Sequence, residues 1–462
     1  MRIVILALVT GCLLNIHSGC SSAEALEHAA PASLETMWDR EQLESHLRIL
    51  NSTEVEGRGT GTHGYARATE YVAAQMAAYQ LQPAIGSEHR LTYAASLNYI
   101  QAAQLALVGR DTLRLGPGID FLADARSDSG MVRVRRMRRL QGIMPEDLPG
   151  QLAADEAVLI SAGQQSDALL IRLREAGVRL VFIEGELAPE QAQRRIPGVV
   201  IVRVTPATVE YIEAELERPA FRRLAGGAEW HLIARVISRY QPAAGVINVL
   251  GFLGGKHPVL SEELIIVCAD LDAMGWVSGV RTVDFEHFGT DVAAMLEVAR
   301  MQAEASRVLG VPDRTVLFAA WAGGRLGHAG FRSYLNRPVW PLEATRAVIY
   351  LGLDPEDEAI LREQLVRYGI ILHAVPMPGT LVDPGIRLIP SPTQKRMAIS
   401  RHSDAEVNVE ADMSEAFERA SLLAGKMVEE VRDLLVQLTV AGSSINPVFD
   451  DGTSVPKAGV GE

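Results

Sequence analysis

The sequence predicts an α/β fold, and three observations carry that prediction. From Leu264 to Ala329 it reads strand, loop, helix, strand, loop, which is one α/β unit. From about residue 105 to 235 the texture changes to short β-rich runs. A long amphipathic stretch, 411 to 438, follows near the end. The 462 residues are too many for one ordinary domain, and two or three are expected. A hydrophobic content of 48% supplies large cores.

In chain order, Met1-Arg2 and the apolar run Ile3 to Leu14 suit a secretory signal and are too short for a comfortable membrane span. His17-Ser18-Gly19-Cys20 follows and resembles a bacterial lipoprotein cleavage site, with Cys20 as the lipid-bearing residue; His17 stands where that pattern prefers leucine. Cys12 after Val9-Thr10-Gly11 fits the local pattern better but leaves a very short signal, and plain secretion is the other reading. Residues 1–19 are thus read as a signal peptide and 20–35 as a tether. Thr36 to Leu50 reads as a helix with Leu43, Leu47 and Leu50 on one face. Asn51 to Tyr65, with four glycines, reads as an irregular loop, and a helix then runs to about Gln80. Within 105–235, Ala157 to Ile160, Leu180 to Ile183 and Val199 to Val202 are strands, and Ala168 to Ala176 is a helix capped by Gly177. Leu264 to Cys268 is a buried strand ending at Asp270 and Asp272. Thr290 is a suitable N-cap for a helix whose face is Val292, Met295, Leu296 and Ala299. Thr315 to Trp321 is a second buried strand, followed by Gly323-Gly324-Arg325. The tail 441–462 is Gly, Ser and Pro-rich and reads as flexible.

Charge and cysteine content exclude some classes. A net charge of −13 disfavours nucleic acid as a partner. Arg133, Arg135, Arg136, Arg138 and Arg139 crowd together, and a solvated strand face is the plainer reading than an anion patch. Cys12, Cys20 and Cys268 cannot make a disulfide framework or a cysteine-rich zinc site, and Cys268 reads as a small core hydrophobe. The carboxyl ends of strands in an open α/β sheet are where ligands bind. Those ends carry Asp270, Asp272 and Arg325, with Asp284, Glu286 and His287 just ahead of the helix, a site-shaped cluster.

The leucine-rich helix, the loop Glu56-Gly57-Arg58-Gly59-Thr60-Gly61, Gly64-Tyr65, the next helix and Leu81-Gln82-Pro83 together resemble the amino-terminal part of the bacterial zinc aminopeptidases. These belong to family twenty-eight of the metallopeptidases, with glutamate carboxypeptidase and the transferrin receptor ectodomain. The resemblance covers roughly residues 34 to 440. It implies a zinc-exopeptidase-like αβα sandwich with a mixed sheet, built from 36–104 and 236–440. It also implies a small β-rich insertion, 105–235, similar to the protease-associated domain. Active members hold two zinc ions with five side chains, and a glutamate takes the proton of the metal-bound water.

Laid on that pattern, the opening metal-binding histidine falls on Asp270 and its partner aspartate on Asp272. The bridging aspartate falls on His287, the general base and the ligand after it on Gly324 and Arg325, the next ligand on Gly352, and the late histidine on His402. A glycine cannot abstract a proton, and an arginine cannot ligate zinc. Loss of the base typically removes a factor of about 10² to 10⁴. The resemblance therefore implies a pseudopeptidase, with Arg325 expected to pair with Asp270 or Asp272 in place of metal charge. No catalytic residue is assigned and no cofactor is favoured. A contrary reading keeps one zinc ion on Asp270, His287 and His402, with Asp354 as a fourth ligand, in an active peptidase with a rearranged site. Glu286 or Asp284 would then have to replace the base. His63, His257 and His328 are read as surface or loop residues, His328 lying nearest the site. The expected function is that of an exported cell-envelope protein, anchored in the membrane through lipid, that binds a peptide or protein in the vestigial cleft and does not bind nucleic acid.

Overall fold

The computed structural model describes residues 37–109, 112–140, 142, 148, 151–153, 155–217, 231–377, 381, 386–398 and 409–440. The leader, Cys20, the tether, His402 and the tail lie outside the described residues.

Two helices, α1 (Arg40–Leu50) and α2 (His63–Ala78), precede the strands β1 (Gln82–Pro83) and β2 (Arg90–Val108). Short strands β3 (Thr112–Arg114), β4 (Phe121–Ala123), β5 (Gly130–Val134) and β6 (Arg136–Arg139) follow. β7 (Glu156–Ser161), α3 (Asp167–Glu175), β8 (Leu180–Glu184), β9 (Val200–Val204) and α4 (Pro206–Glu217) then lead to the long strand β10 (His231–Leu253). The rest is β11 (Leu264–Asp270), β12 (Trp276–Val277), β13 (Val280–Asp284), α5 (Thr290–Val308), β14 (Thr315–Trp321), α6 (Ala329–Asn336), β15 (Thr345–Leu351), α7 (Pro355–Val366), β16 (Ile371–Val375), β17 (Ile386–Ile389), α8 (Pro392–Met397) and α9 (Val409–Thr439).

Among the described residues the main sheet has the order β16-β15-β11-β14-β10-β2-β3. β11 is parallel to β14 and β15, whereas β10 is antiparallel to β14 and β2, so the sheet is mixed. Alternation along the strands separates its two faces. Ile265, Val267 and Ala269 join the core under α1, α2, α5 and α9, while Leu264, Ile266 and Cys268 join the one that holds Phe331 and Tyr334 of α6 and Leu361 and Leu365 of α7. The architecture is an αβα sandwich. Helix α5 is buried almost all round because α9 and α1 cover it on the side away from the sheet. Its many alanines let the backbones approach. Cys268 is free and buried.

A second, five-stranded sheet, β4-β9-β8-β7-β6, lies in the 105–235 region with its own cores. The helices α3 and α4 make this region α/β. The expected limits at residues 104 and 235 fall inside β2 and β10, which pair over most of their 19 and 23 residues. Leu232, Ala234 and Val236 fill the smaller core, and Val246 and Val249 of the same strand fill the main one. The register shifts between Gln241 and Ala244, where Pro242 has no N–H to give the ladder. The arginine-rich run 133–139 is exposed, with Arg136 on Asp155, Arg138 on Glu156 and Arg139 on Glu184 and Glu213, the solvated strand face expected. No helix among the described residues is long and apolar enough to cross a membrane.

Candidate functional site

Asp270 ends β11, opposite Trp321 at the end of β14. It points to the same face as Cys268, toward α6 and α7. One carboxylate oxygen accepts a hydrogen bond from the Tyr350 hydroxyl of β15 at 2.8 Å, and the other meets His328 Nδ1 at 2.8 Å. His328 is the N-cap of α6, at φ 53°, and its Nε2 lies 2.9 Å from an Asp357 oxygen in the first turn of α7, at an ion-pair distance with poor hydrogen-bond alignment. Burial works to lower the His328 pKa, but Asp270 and then Asp357 outweigh it and lift it to about 9. His328 is therefore an imidazolium held between two carboxylates. The reading of His328 as a surface or loop residue is corrected: it is buried and central.

Asp272 accepts from Thr60 Oγ1 at 2.7 Å and from the Gly324 N–H at 2.7 Å. Burial, with the Asp270 charge second, raises its pKa to about 6. Gly324 sits directly on Asp270. A Cβ there would lie 2.6 Å from the Asp270 carboxyl carbon, so no side chain fits without displacing that carboxylate.

Arg325 corrects a further expectation. It pairs with Asp284, Nη2 to both oxygens at 2.9 and 3.0 Å, and with Glu286 at 2.6 Å, instead of with Asp270 or Asp272. Gly323 and Gly327, both in the left-handed region, turn the loop so that Arg325 leaves the β11 end and reaches the end of β13. Asp284 also accepts from the N–H groups of Met274, Glu286 and His287. Burial opposes its ionised form, yet His287, Arg325 and those donors hold its pKa below the usual range. His287 is half-buried, and burial followed by the Arg325 charge pushes its pKa down.

Three buried groups here lie outside the site read from the sequence. Asp291, the second residue of α5, has its pKa raised to about 7 by burial. Its carboxylate occupies the space beside Gly352, whose φ is +76° and whose Cβ would lie 2.9 Å from an Asp291 oxygen. Arg58, at φ 54° in the loop before α2, is buried and donates to the carbonyls of Leu271 at 2.9 Å, Leu50 and His287. Burial works to lower its pKa, and the charges of Asp291, Asp284 and Asp272 support its ionised form. Tyr350 is the third. In sequence an acid at a helix start reads as a dipole partner, an arginine in a glycine-rich loop as exposed, and a strand tyrosine as core.

Asp354 does not enter the site. It is exposed and caps α7, accepting from the N–H groups of Glu356 and Asp357, so Asp357, one turn on, is the acid that reaches in. His63 is exposed at the start of α2, and His257 accepts from the N–H groups of Val259 and Leu260.

Zinc needs convergent acid or imidazole ligands with lone pairs free toward one point. Among the described residues no three such side chains converge. The carboxylates of Asp270, Asp272 and Asp284 are already taken by internal donors, and the described residues do not fit the metal pair. Chemically, the arrangement is a set of buried acids neutralised by Arg58, Arg325 and His328.

No protein-family model matches the sequence, and no curated protein matches it. Among solved structures, an aminopeptidase from Aneurinibacillus sp. strain AM-1 is similar at 14% identity, with a TM-score of 0.49, over 86% of this chain and 94% of that one. A zinc aminopeptidase from Bacillus subtilis is similar at 14% identity, with a TM-score of 0.49, over 85% and 95%. A peptidase M28 precursor from Shewanella amazonensis is similar at 14% identity, with a TM-score of 0.43, over 85% and 96%.

Proposed function

We propose that this chain is a non-catalytic relative of the zinc aminopeptidases, with a protease-associated-like insertion, and that it acts by binding a peptide or protein. One observation carries the reading. The position of the general base is a glycine whose missing side chain is replaced by the Asp270 carboxylate, at 2.6 Å from where a Cβ would be. The residue beside it, Arg325, is committed to Asp284 and Glu286. The cations that balance these acids belong to the chain itself.

The test is zinc content by elemental analysis after equilibration and dialysis, with aminoacyl-anilide turnover and thermal melts alongside. The expected result is no retained zinc, no turnover and no melting shift on adding zinc or chelator. One tightly held equivalent that disappears in Asp270→Ala or His402→Ala, together with turnover, would overturn it. That outcome would establish the second reading, a mononuclear peptidase.

The segment from Met1 to Cys20 supports export with a lipid anchor on Cys20, in the cell envelope. Cell fractionation checks this. The wild type is expected with the membranes and Cys20→Ala in the soluble fraction; identical fractionation of the two would sink the anchor.

A further inference from the structure

We infer that the cleft between the inserted region and the vestigial site is a binding site for an acidic peptide, recognised through carboxylates by unclaimed arginine donors. This deepens the binding reading and rests on it.

The cleft has a volume of about 610 Å³, within the range that takes a ligand of several residues. Three parts of the chain wall it. The first is the loop after β14 with α6, bringing Arg325, Leu326 and Arg332. The second is the inserted region, bringing Arg126, Asp167 and the segment around Gln193. The third is the pair of long strands, bringing Ser96 and Tyr240. The walls are tied together. Gln193 Nε2 donates to the Leu326 carbonyl at 2.7 Å, and Gln191 Nε2 to the Ala273 carbonyl at 3.1 Å. The Arg195 guanidinium lies over the Tyr240 ring, 5.3 Å from its centre.

Four guanidiniums line this space, with Asp167 also in its wall, and Asp284 and Glu286 lie against Arg325. Arg126 is spent on Asp124, Asp167 and Gln165. The other three keep N–H donors without a partner among the described residues. Arg332 is exposed and its guanidinium has no partner among the described residues. Arg194 touches only Asp167 among the described residues, and its side chain is 72% exposed. Among the described residues, Arg325 holds both of its acids through Nη2 alone and leaves its Nε–H buried without a partner. A buried donor left unpaired is costly, and a ligand oxygen would remove that cost.

The fork of a guanidinium matches a carboxylate in two-point contact. The three open guanidiniums stand on separate elements around the cleft, so one small anion cannot satisfy them together. A segment with successive Glu or Asp side chains can. Tyr240 and Leu326 supply apolar surface for its backbone and stems.

The experiment is fluorescence anisotropy on the full mature chain with labelled hexaglutamate, with hexaglutamine as the neutral control and inorganic phosphate as competitor. Hexaglutamate is expected to bind, more weakly as salt rises, and hexaglutamine is not. Arg194→Glu with Arg332→Glu, both surface changes whose folding a melt verifies, is expected to weaken binding about tenfold or more. Arg367→Glu, an exposed charge reversal outside the cleft, is expected to leave it unchanged. Equal binding of hexaglutamate by the double variant, equal binding of hexaglutamine, or displacement by phosphate at equal concentration would each overturn the acidic-peptide site. The failure of the non-catalytic reading is registered separately, by zinc content and turnover.

Discussion

Arg325 reaches Asp284 and Glu286 through one nitrogen, with side-chain exposures of 20%, 3% and 38%. An ion pair in which one acid is deeply buried is strongly coupled, whereas its half-exposed partner is screened. A double-mutant cycle is expected to give about 1 to 3 kcal/mol of coupling between Arg325 and Asp284, and less with Glu286. Between Arg325 and Asp270 it is expected to lie within about 0.5 kcal/mol of zero. Strong coupling to Asp270 would contradict the observed pairing. The acids at the strand ends were legible because strand, loop and helix order puts them on one edge. Their partners were not. Which cation meets which acid depends on the left-handed glycines Gly323 and Gly327, and on His328 sitting where α6 begins. The partner of Asp270 is an imidazolium fixed by Asp357 from another helix, a residue distant in sequence from both.

At the scale of elements, periodicity was informative where one face is buried. Thr315 to Trp321 has the bounds read from its apolar run, and α3 runs Asp167–Glu175 with Gly177 at φ +93° after it. The start of α5 differs. Thr290, suited to be an N-cap, is the first helical residue, and Gly289 at φ +83° takes the cap position. A Cβ at Gly289 would lie 3.2 Å from Leu50 and 3.5 Å from the Arg58 guanidinium, so α1 and the buried arginine set that boundary. The one-residue offset leaves Asp291 facing Gly352. The loop between α1 and α2 read as irregular and polar. Its 3-10 turn, Thr53–Arg58, carries left-handed Glu56 and Gly57 and delivers Arg58 inward. The lengths of β2 and β10 were hidden because the change of residue texture, at about 105 and 235, falls inside each strand, and each passes from one core to the other.

For the whole molecule, three titrations act in the same direction. Asp272 and Asp291 hold protons up to about 6 and about 7, while the unfolded chain releases them near the ordinary 3.8. The folded state binds more protons in that interval, so stability falls as pH rises through it. His328 holds its proton to about 9 against an ordinary 6.5. Its contribution is complete below the unfolded value and is lost as pH rises through the folded one. Asp284, with its pKa lowered, contributes above 3.8 and loses that contribution in acid. The melting temperature is therefore expected to fall from about pH 6.5 to pH 9, above the range in which His46 and His287, whose burial lowers their pKa, add stability as pH rises. His328→Gln is expected to flatten the upper half of that fall. Thermal melts across the range check it, and a flat or rising profile would refute the internal charge balance described here.

By itself, the sequence determined the α/β class, the run of buried strands and the helices that cover them, because each records its own burial in a local period. It also placed Asp270, Asp272, Asp284, Glu286 and Arg325 near one sheet edge, with Gly324 beside Arg325. Only the tertiary structure decided how those charges are satisfied. Ion pairing depends on where separate elements end in space, and Arg58, Asp291, His328, Tyr350 and Asp357 come from five segments with no shared local signal. The arginine cleft has the same origin, since its walls come from regions far apart in the chain and meet through Gln191, Gln193 and the two long strands.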